Sequence, residues 1–245
     1  MLIVLCRMVI PAGAADDVVL VLDASRSMWG TVAKKPKYMM VHDAFARALD
    51  KRSAIPGVGL ISFGNRSPSS CSDVNALIAP GASDHGRFLS TIGDLKPWGL
   101  TPIAESLRRA SGTFRADAAG RSIILITDGT ENCRGDPCAV ARTLKQQSPS
   151  LAINVIALSV PEAAHKHLSC VAENTDGLFQ TASTQGELDI AVRAALDWTP
   201  GAAPATPVAD GQAAEPLTPS LALLNEPPPL PRRNPKWRQR LAAVA

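Results

Sequence analysis

The feature that most constrains the fold is a set of short, almost entirely apolar runs. Three of these runs span residues 18–22, 123–126 and 153–158, the last interrupted by a single asparagine. Apolar runs without strict alternation are typical of strands in parallel sheets whose two faces are both covered by helices. Residues 57–63 and 177–181 are predicted to add two further strands.

Segments with helical periodicity lie between the predicted strands. Apolar residues recur at helical spacing in residues 41–49 and again in residues 188–196. At two other positions a capping residue stands directly before a proline, which is a common helix start; these are Thr101 and Asp136. Strands that alternate with helices imply right-handed crossovers. We therefore predict an α/β fold with a doubly wound, mostly parallel sheet and helices on both faces.

The two ends of the chain differ from its middle. Residues 1–15 resemble the remnant of a secretory signal, an apolar run followed by small residues, although Arg7 interrupts the run and no basic leader precedes it. A hydrophobic first strand is the alternative. Half of the 20 prolines lie after residue 199, so residues 199–245 are predicted to be a disordered tail or linker. Residues 16–198 are predicted to form one domain.

Charge and hydropathy argue against two classes of partner. The formal net charge of +3 comes from Arg7 and from an excess of two basic residues in the predicted tail, so the predicted domain is neutral. A neutral domain gives no electrostatic case for nucleic-acid binding. No apolar run reaches the roughly 18 residues that a spanning helix needs, so no transmembrane segment is expected.

The cysteines favour an exported protein. Outside the predicted signal there are four, which are Cys71, Cys133, Cys138 and Cys170. An even number in an exported domain predicts two disulfides and leaves three connectivities open. Cys133 and Cys138 flank a short loop and could bond to each other. A zinc site of four thiolates is the alternative, but the spacing lacks paired C-x2-C motifs. We expect a periplasmic or secreted protein.

Hydroxyl and carboxylate side chains follow the predicted strands at their carboxyl ends. The first strand is followed by Asp23, Ser25 and Ser27, a later strand by Asp128, and a third loop carries Thr101 to the start of a helix. Ligands of doubly wound sheets bind at these strand ends. Taken singly, these residues could be an Asx-type turn, a helix N-cap and a strand followed by a turn. Together and in this order they favour a metal site.

The pattern D-x-S-x-S, a later threonine before a helix and a strand ending in T-D-G resembles the von Willebrand factor type A domain. The resemblance covers the whole predicted domain, and the stretches "SMWG" and "ENCRGDPC" resemble exported bacterial members. In that family these residues form a metal-ion-dependent adhesion site. Carried over by position, Ser25, Ser27 and Thr101 would bind the cation directly, while Asp23 and Asp128 would act largely through waters.

These hard oxygen ligands suit magnesium or manganese, and calcium also accepts them. Neutral hydroxyl ligands leave much of the charge of the cation unquenched, so a carboxylate from a partner protein would complete the coordination. Arg26 stands where exported members usually carry glycine. Arg26 and Trp98 are predicted to form the rim of the partner site, with packing of Trp98 against the sheet as the alternative, whereas Trp29 is expected to pack.

The resemblance implies an exported, non-enzymatic protein that binds a divalent cation and, through it, a protein partner in adhesion or scaffolding. A magnesium-dependent phosphoryl hydrolase is one alternative. Such enzymes place a second aspartate two residues after the first, and here that position is Ser25. A structural envelope module, in which the cation only stabilises loops, is the other alternative.

Overall fold

The computed structural model describes residues 16–50, 57–81 and 84–198. Within these ranges, six strands form one sheet in the order β5-β4-β1-β6-β7-β8, and two short strands form a separate hairpin. The strands are β1 Asp17–Asp23, β2 Thr31–Val32, β3 Lys35–Pro36, β4 Gly59–Phe63, β5 Val74–Ile78, β6 Arg121–Thr127, β7 Leu151–Leu158 and β8 Phe179–Ala182.

All neighbouring strands of the sheet are parallel except β4 and β5. This arrangement confirms the predicted α/β fold with a mostly parallel sheet. The edge strand β5 was not predicted from the sequence. Its middle residues are only partly buried, so it lacks the continuous apolar character of the central strands.

In the described part of the chain, six α-helices cover the two faces of the sheet. They are α1 Lys37–Asp50, α2 His85–Gly93, α3 Ile103–Ser111, α4 Pro137–Gln147, α5 Glu162–Glu173 and α6 Gln185–Asp197. Side chains alternate between the faces along each strand. Leu20 and Leu22 of β1 pack in a core with α1, α2 and α6, whereas Val19 and Val21 pack with α3, α4 and α5. The apolar runs are therefore buried on both sides, as predicted.

The single asparagine within β7 is explained by its hydrogen bonds. The side chain of Asn154 is fully buried. Its Oδ1 accepts from the backbone N of Leu178 at 2.8 Å, and its Nδ2 donates to Ser122 Oγ at 3.2 Å and to the carbonyl of Ala195 at 3.4 Å. One polar side chain thus joins β7 to β6, to α6 and to the segment that leads into β8.

The predicted signal remnant and the predicted proline-rich tail lie outside the described residues. In the part of the chain that the structure describes, no helix has both the length and the apolar character needed to cross a membrane.

Replacing Asn154 with leucine, which keeps the branching and the number of heavy atoms of the side chain, should lower the free energy of unfolding by about 2 kcal/mol. The substitution leaves the buried N–H of Leu178 without its acceptor, and a buried unpaired donor is costly. Urea denaturation followed by circular dichroism measures this loss. The volume-conserving change Ile156→Leu in the same strand is the control and should cost less. Equal costs for the two variants would contradict the role of the hydrogen bonds.

Candidate metal centre

Asp23 lies at the centre of the loops that leave the carboxyl edge of the sheet. Because β1 and β6 are parallel neighbours, their carboxyl ends lie side by side. Asp23 is fully buried. Its Oδ1 accepts from the backbone N of Ser25 at 2.7 Å, and its Oδ2 accepts from Thr127 Oγ1 at 2.6 Å. The contact with Ser25 is the Asx-type turn that the sequence allowed, and the contact with Thr127 ties this turn to the end of β6.

A chain of side-chain oxygens continues from this turn to the loop after β6. Ser25 Oγ lies 3.0 Å from Ser27 Oγ. Ser27 Oγ donates to Asp128 Oδ1 at 2.5 Å. Ser27 belongs to a short 3₁₀ helix, Arg26–Trp29, which turns its hydroxyl back towards β6. The structure therefore brings four of the five predicted ligand residues into direct contact. They are Asp23, Ser25, Ser27 and Asp128, and Asp23 contacts the backbone of Ser25.

The loop that carries Thr101 is held against this cluster by the backbone. Ser25 and Gly99 form an isolated parallel bridge, and the N–H of Trp98 donates to the carbonyl of Ala24 at 3.0 Å. Thr101 is buried, and its Oγ1 accepts from Asn132 Nδ2 at 3.5 Å. All three predicted loops thus meet at one edge of the sheet.

The alternative interpretation of Thr101 as a helix N-cap is wrong. Helix α3 begins at Ile103 with Pro102 as its N-cap residue and no side-chain cap. The N–H of Ala104 in its first turn is instead satisfied by Glu131 Oε2 at 2.8 Å, which comes from the loop after β6. Asn132 in the same loop accepts from the N–H of Thr101 at 2.8 Å. Sequence reasoning missed both residues, because their contacts span about 30 positions of the chain.

A lysine that was not predicted also reaches the site. Lys37 Nζ lies 2.8 Å from Asp128 Oδ2, and the Asp128 side chain is fully buried. The hairpin of β2 and β3 returns the chain to the site, where the N–H of Lys37 donates to the carbonyl of Gly30 at 3.0 Å. The only local clue in the sequence is that Lys37 follows Ser25 and Ser27 within about a dozen positions. A contact with residue 128 depends on the tertiary fold.

The two carboxyl groups of the site interact electrostatically. Burial and, secondarily, the negative charge of Asp128 raise the pKa of Asp23 to about 6. Two carboxylates that repel each other are stabilised by a positive charge between or beside them. Among the described residues no cluster of three or more histidine, cysteine or acidic side chains is built for a metal. The donor set is instead hydroxyl-rich with two carboxylates, which fits a hard dication that retains several waters.

Among the described residues there are two disulfides, which join Cys71 to Cys133 and Cys138 to Cys170, each with a Cα–Cα distance of 5.5 Å. The predicted number of bridges is therefore confirmed. A local bond between Cys133 and Cys138 does not form, and neither does a site of four thiolates. The first bridge fastens the loop after β4 to the loop after β6, beside the residues that hold Thr101.

The side chains predicted to form the rim are exposed. Arg26 is exposed, and Trp98 retains 49% of its accessible surface. Trp29, expected to pack, does contact Tyr38 edge to face with ring centroids 5.0 Å apart. It nevertheless keeps 47% of its surface exposed. Both tryptophans therefore present apolar surface next to the oxygen cluster.

Comparison with known proteins identifies similar domains. Residues 18–131 match the family model of the von Willebrand factor type A domain. Solved structures with a similar fold support the same domain. The uncharacterized protein YwmC of Bacillus subtilis is 29% identical over 187 residues, which cover 73% of this chain and 82% of that protein.

Two solved structures superpose on this chain and share its fold. The conserved hypothetical protein BatB of Bacteroides thetaiotaomicron superposes with a TM-score of 0.59 at 20% identity, covering 72% of this chain and 95% of that one. Proximal thread matrix protein 1 of the mussel byssus superposes with a TM-score of 0.58 at 19% identity, covering 75% of this chain and 46% of that one. That mussel protein was solved with zinc in its metal-ion-dependent adhesion site (MIDAS) motif.

Gly64 supports the approach of the Thr101 loop to the rest of the site. Its φ of +71° is a conformation that favours glycine, and an added Cβ would lie 2.5 Å from the carbonyl oxygen of Leu100. Its own carbonyl accepts from the N–H groups of Trp98 and Gly99 at 3.1 and 2.8 Å. Close backbone packing here sets the position of the loop.

Replacing Gly64 with alanine should lower the free energy of unfolding by about 2–4 kcal/mol, because the side chain is strained at positive φ and collides with the Leu100 carbonyl. Thermal denaturation measures the loss. Gly186→Ala is the matched control, since a Cβ there meets nothing within 4 Å. A Gly64 variant as stable as this control would show that the loop adapts without cost.

Proposed function

We propose that this protein binds a divalent cation at the carboxyl ends of β1 and β6 and uses it to bind an acidic side chain of a partner protein. The observation that carries the proposal is the continuous hydrogen-bonded path from Asp23 through Ser25 and Ser27 to Asp128. Both carboxyl groups are buried, so the path concentrates negative charge and hydroxyl oxygens where water alone cannot stabilise them fully.

Each side chain has a role in this proposal. The hydroxyls of Ser25, Ser27 and Thr101 would contact the cation, while Asp23 and Asp128 would bind its waters and orient the hydroxyls. The cation supplies a Lewis-acidic position for a carboxylate oxygen. Magnesium or manganese suits this donor set, and calcium is accepted by the same kind of oxygen ligands. The zinc-occupied motif of the mussel protein makes zinc a fourth ion to test.

The surroundings of the site support a protein partner. Arg26 and Trp98 are exposed beside the oxygen cluster, and arginine and tryptophan are enriched among the residues that dominate binding energy at interfaces. We propose that they form the rim that contacts the partner. The hydrolase alternative is set aside because the position of its second aspartate is occupied by Ser25.

We also propose that the protein acts outside the reducing cytoplasm, in the periplasm or as a secreted protein. The support is the pair of disulfides, which persist in oxidising compartments. One of them, Cys71–Cys133, lies beside the loop that positions Thr101, so oxidation would also preserve the site.

Saturating magnesium should stabilise the protein by mass action. At about 100 times its Kd, magnesium should raise the free energy of unfolding by about 2.7 kcal/mol, which corresponds to an increase in Tm of about 5–10 °C for a domain of this size. The substitutions Ser25→Ala and Asp23→Asn should abolish this shift, because they remove an oxygen ligand or a charge. Differential scanning calorimetry with and without EDTA measures it.

Ser111→Ala is the matched control, since this exposed hydroxyl on α3 bonds only locally, to the carbonyl of Arg108. It should keep the full shift. A magnesium-induced shift that survives both Ser25→Ala and Asp23→Asn would remove those residues from the site. A shift without any magnesium-dependent partner would favour the structural module over the binding function.

Lys37 should weaken cation binding by electrostatic repulsion. Replacing it with methionine keeps an unbranched side chain that is one heavy atom shorter, and removes a positive charge that lies 2.8 Å from Asp128. The Kd for manganese should fall roughly tenfold, equivalent to about 1.4 kcal/mol of repulsion between cations a few ångströms apart near a protein surface. Titration followed by electron paramagnetic resonance measures this Kd. The control Lys35→Met removes a nearby lysine that pairs with Asp43 instead, so its Kd should not change. A higher Kd for Lys37→Met would contradict the prediction and would show that Lys37 orients Asp128 for the metal.

A further inference from the structure

A groove of about 660 Å³ lies beside the candidate metal centre. Its apolar lining comes from Trp29, Tyr38, Leu95, Pro97 and Trp98. We call it the tryptophan groove. Among the described residues, three large hydrophobic side chains are exposed, and two of them, Trp29 and Trp98, line this groove. Exposed apolar side chains that cluster at one place on a surface mark an interaction site.

The tryptophan groove and the candidate metal centre are built on the same two loops. Trp29 ends the 3₁₀ helix that carries Ser27, and Trp98 precedes Thr101 by three residues. The backbone N–H of Trp98 donates to the carbonyls of Ala24 and Gly64, which fixes this loop to the end of β1 and the end of β4. The groove and the proposed ligands Ser27 and Thr101 are therefore held by the same loops.

The charged residues that line the groove select the occupant. Arg66 and Lys96 carry positive charge there, against one acidic residue, Asp94. Arg26 adds a further exposed positive charge on the loop between the two serines. An apolar floor with a mainly basic rim complements an acidic segment that also carries large apolar side chains.

We propose that the tryptophan groove binds an extended segment of a partner protein in which large apolar residues stand next to the acidic residue that reaches the cation. This rests on the proposed function and adds the chemistry of the partner sequence to it. An extended segment advances about 3.3 Å per residue. Its residues on one side of the acid would therefore lie along the groove, where tryptophan faces bind aromatic, aliphatic and proline side chains.

Selection from a phage-displayed library of random peptides on the magnesium-loaded full chain tests this proposal. Enriched peptides should combine an acidic residue with neighbouring large apolar residues. Fluorescein-labelled copies then give the Kd by fluorescence anisotropy. We expect the Kd to rise at least about tenfold in Trp98→Ala, as at an interface hot spot, and to rise in Lys96→Glu through charge repulsion.

Ile190→Ala is the matched control, because it removes the third exposed hydrophobic side chain, which is 60% exposed on α6 and does not line the groove. Its Kd should equal that of the unmodified protein. Lys96→Glu alters only a rim charge, so it keeps the test valid if Trp98→Ala fails to fold.

The outcomes distinguish a failure of the groove proposal from a failure of the metal-site proposal. Three results would overturn the proposed role of the groove. They are no enrichment, enrichment of acidic residues without apolar neighbours, and Trp98→Ala and Lys96→Glu variants whose Kd equals that of the unmodified protein. The magnesium-induced rise in Tm would then decide the metal site independently. Binding that depends on Trp98 but persists in EDTA would support the groove and contradict the bridging role of the cation.

Discussion

The site depends on the buried carboxylate of Asp23 at the end of the central strand β1. It accepts one hydrogen bond from the backbone of its own loop and one from Thr127 at the end of β6. Burial and the nearby charge of Asp128 make the ionised form costly, as the pKa of about 6 shows. The hydrogen bonds from Ser25 and Thr127 compensate part of this cost at Asp23. Ser27 and Lys37 stabilise the neighbouring carboxylate of Asp128.

The loops around this carboxylate are held in place from outside the site. The carbonyl of Gly64 accepts from the backbone of the loop before Thr101, and Glu131 accepts from the first turn of α3. The Cys71–Cys133 bridge fastens the flanking loops to each other. A site assembled on loops gains geometric precision when its supporting contacts are backbone-specific and cross-linked. Trp29 and Trp98 keep apolar faces towards solvent.

Much of the fold could be predicted, because the free energy that selects it is encoded locally. The central strands β1, β6 and β7 are continuous apolar runs, and such runs are stable only between two layers of helices. Edge strand β5 escaped prediction, since a half-exposed strand has a weaker pattern. Asn154 broke an apolar run without any local explanation, because its partners come from β6, α6 and the segment before β8.

For the candidate site, the sequence alone indicated the residue types of the proposed ligands and the strand ends that carry them, from Asp23 to Asp128. Parallel strands place their carboxyl ends at one edge, so order along the chain was enough to predict convergence. Only the tertiary structure decided which cysteines pair, that Glu131 rather than Thr101 caps α3, and that Lys37 reaches Asp128. These contacts join residues that lie far apart in the chain, and no local propensity specifies such distances.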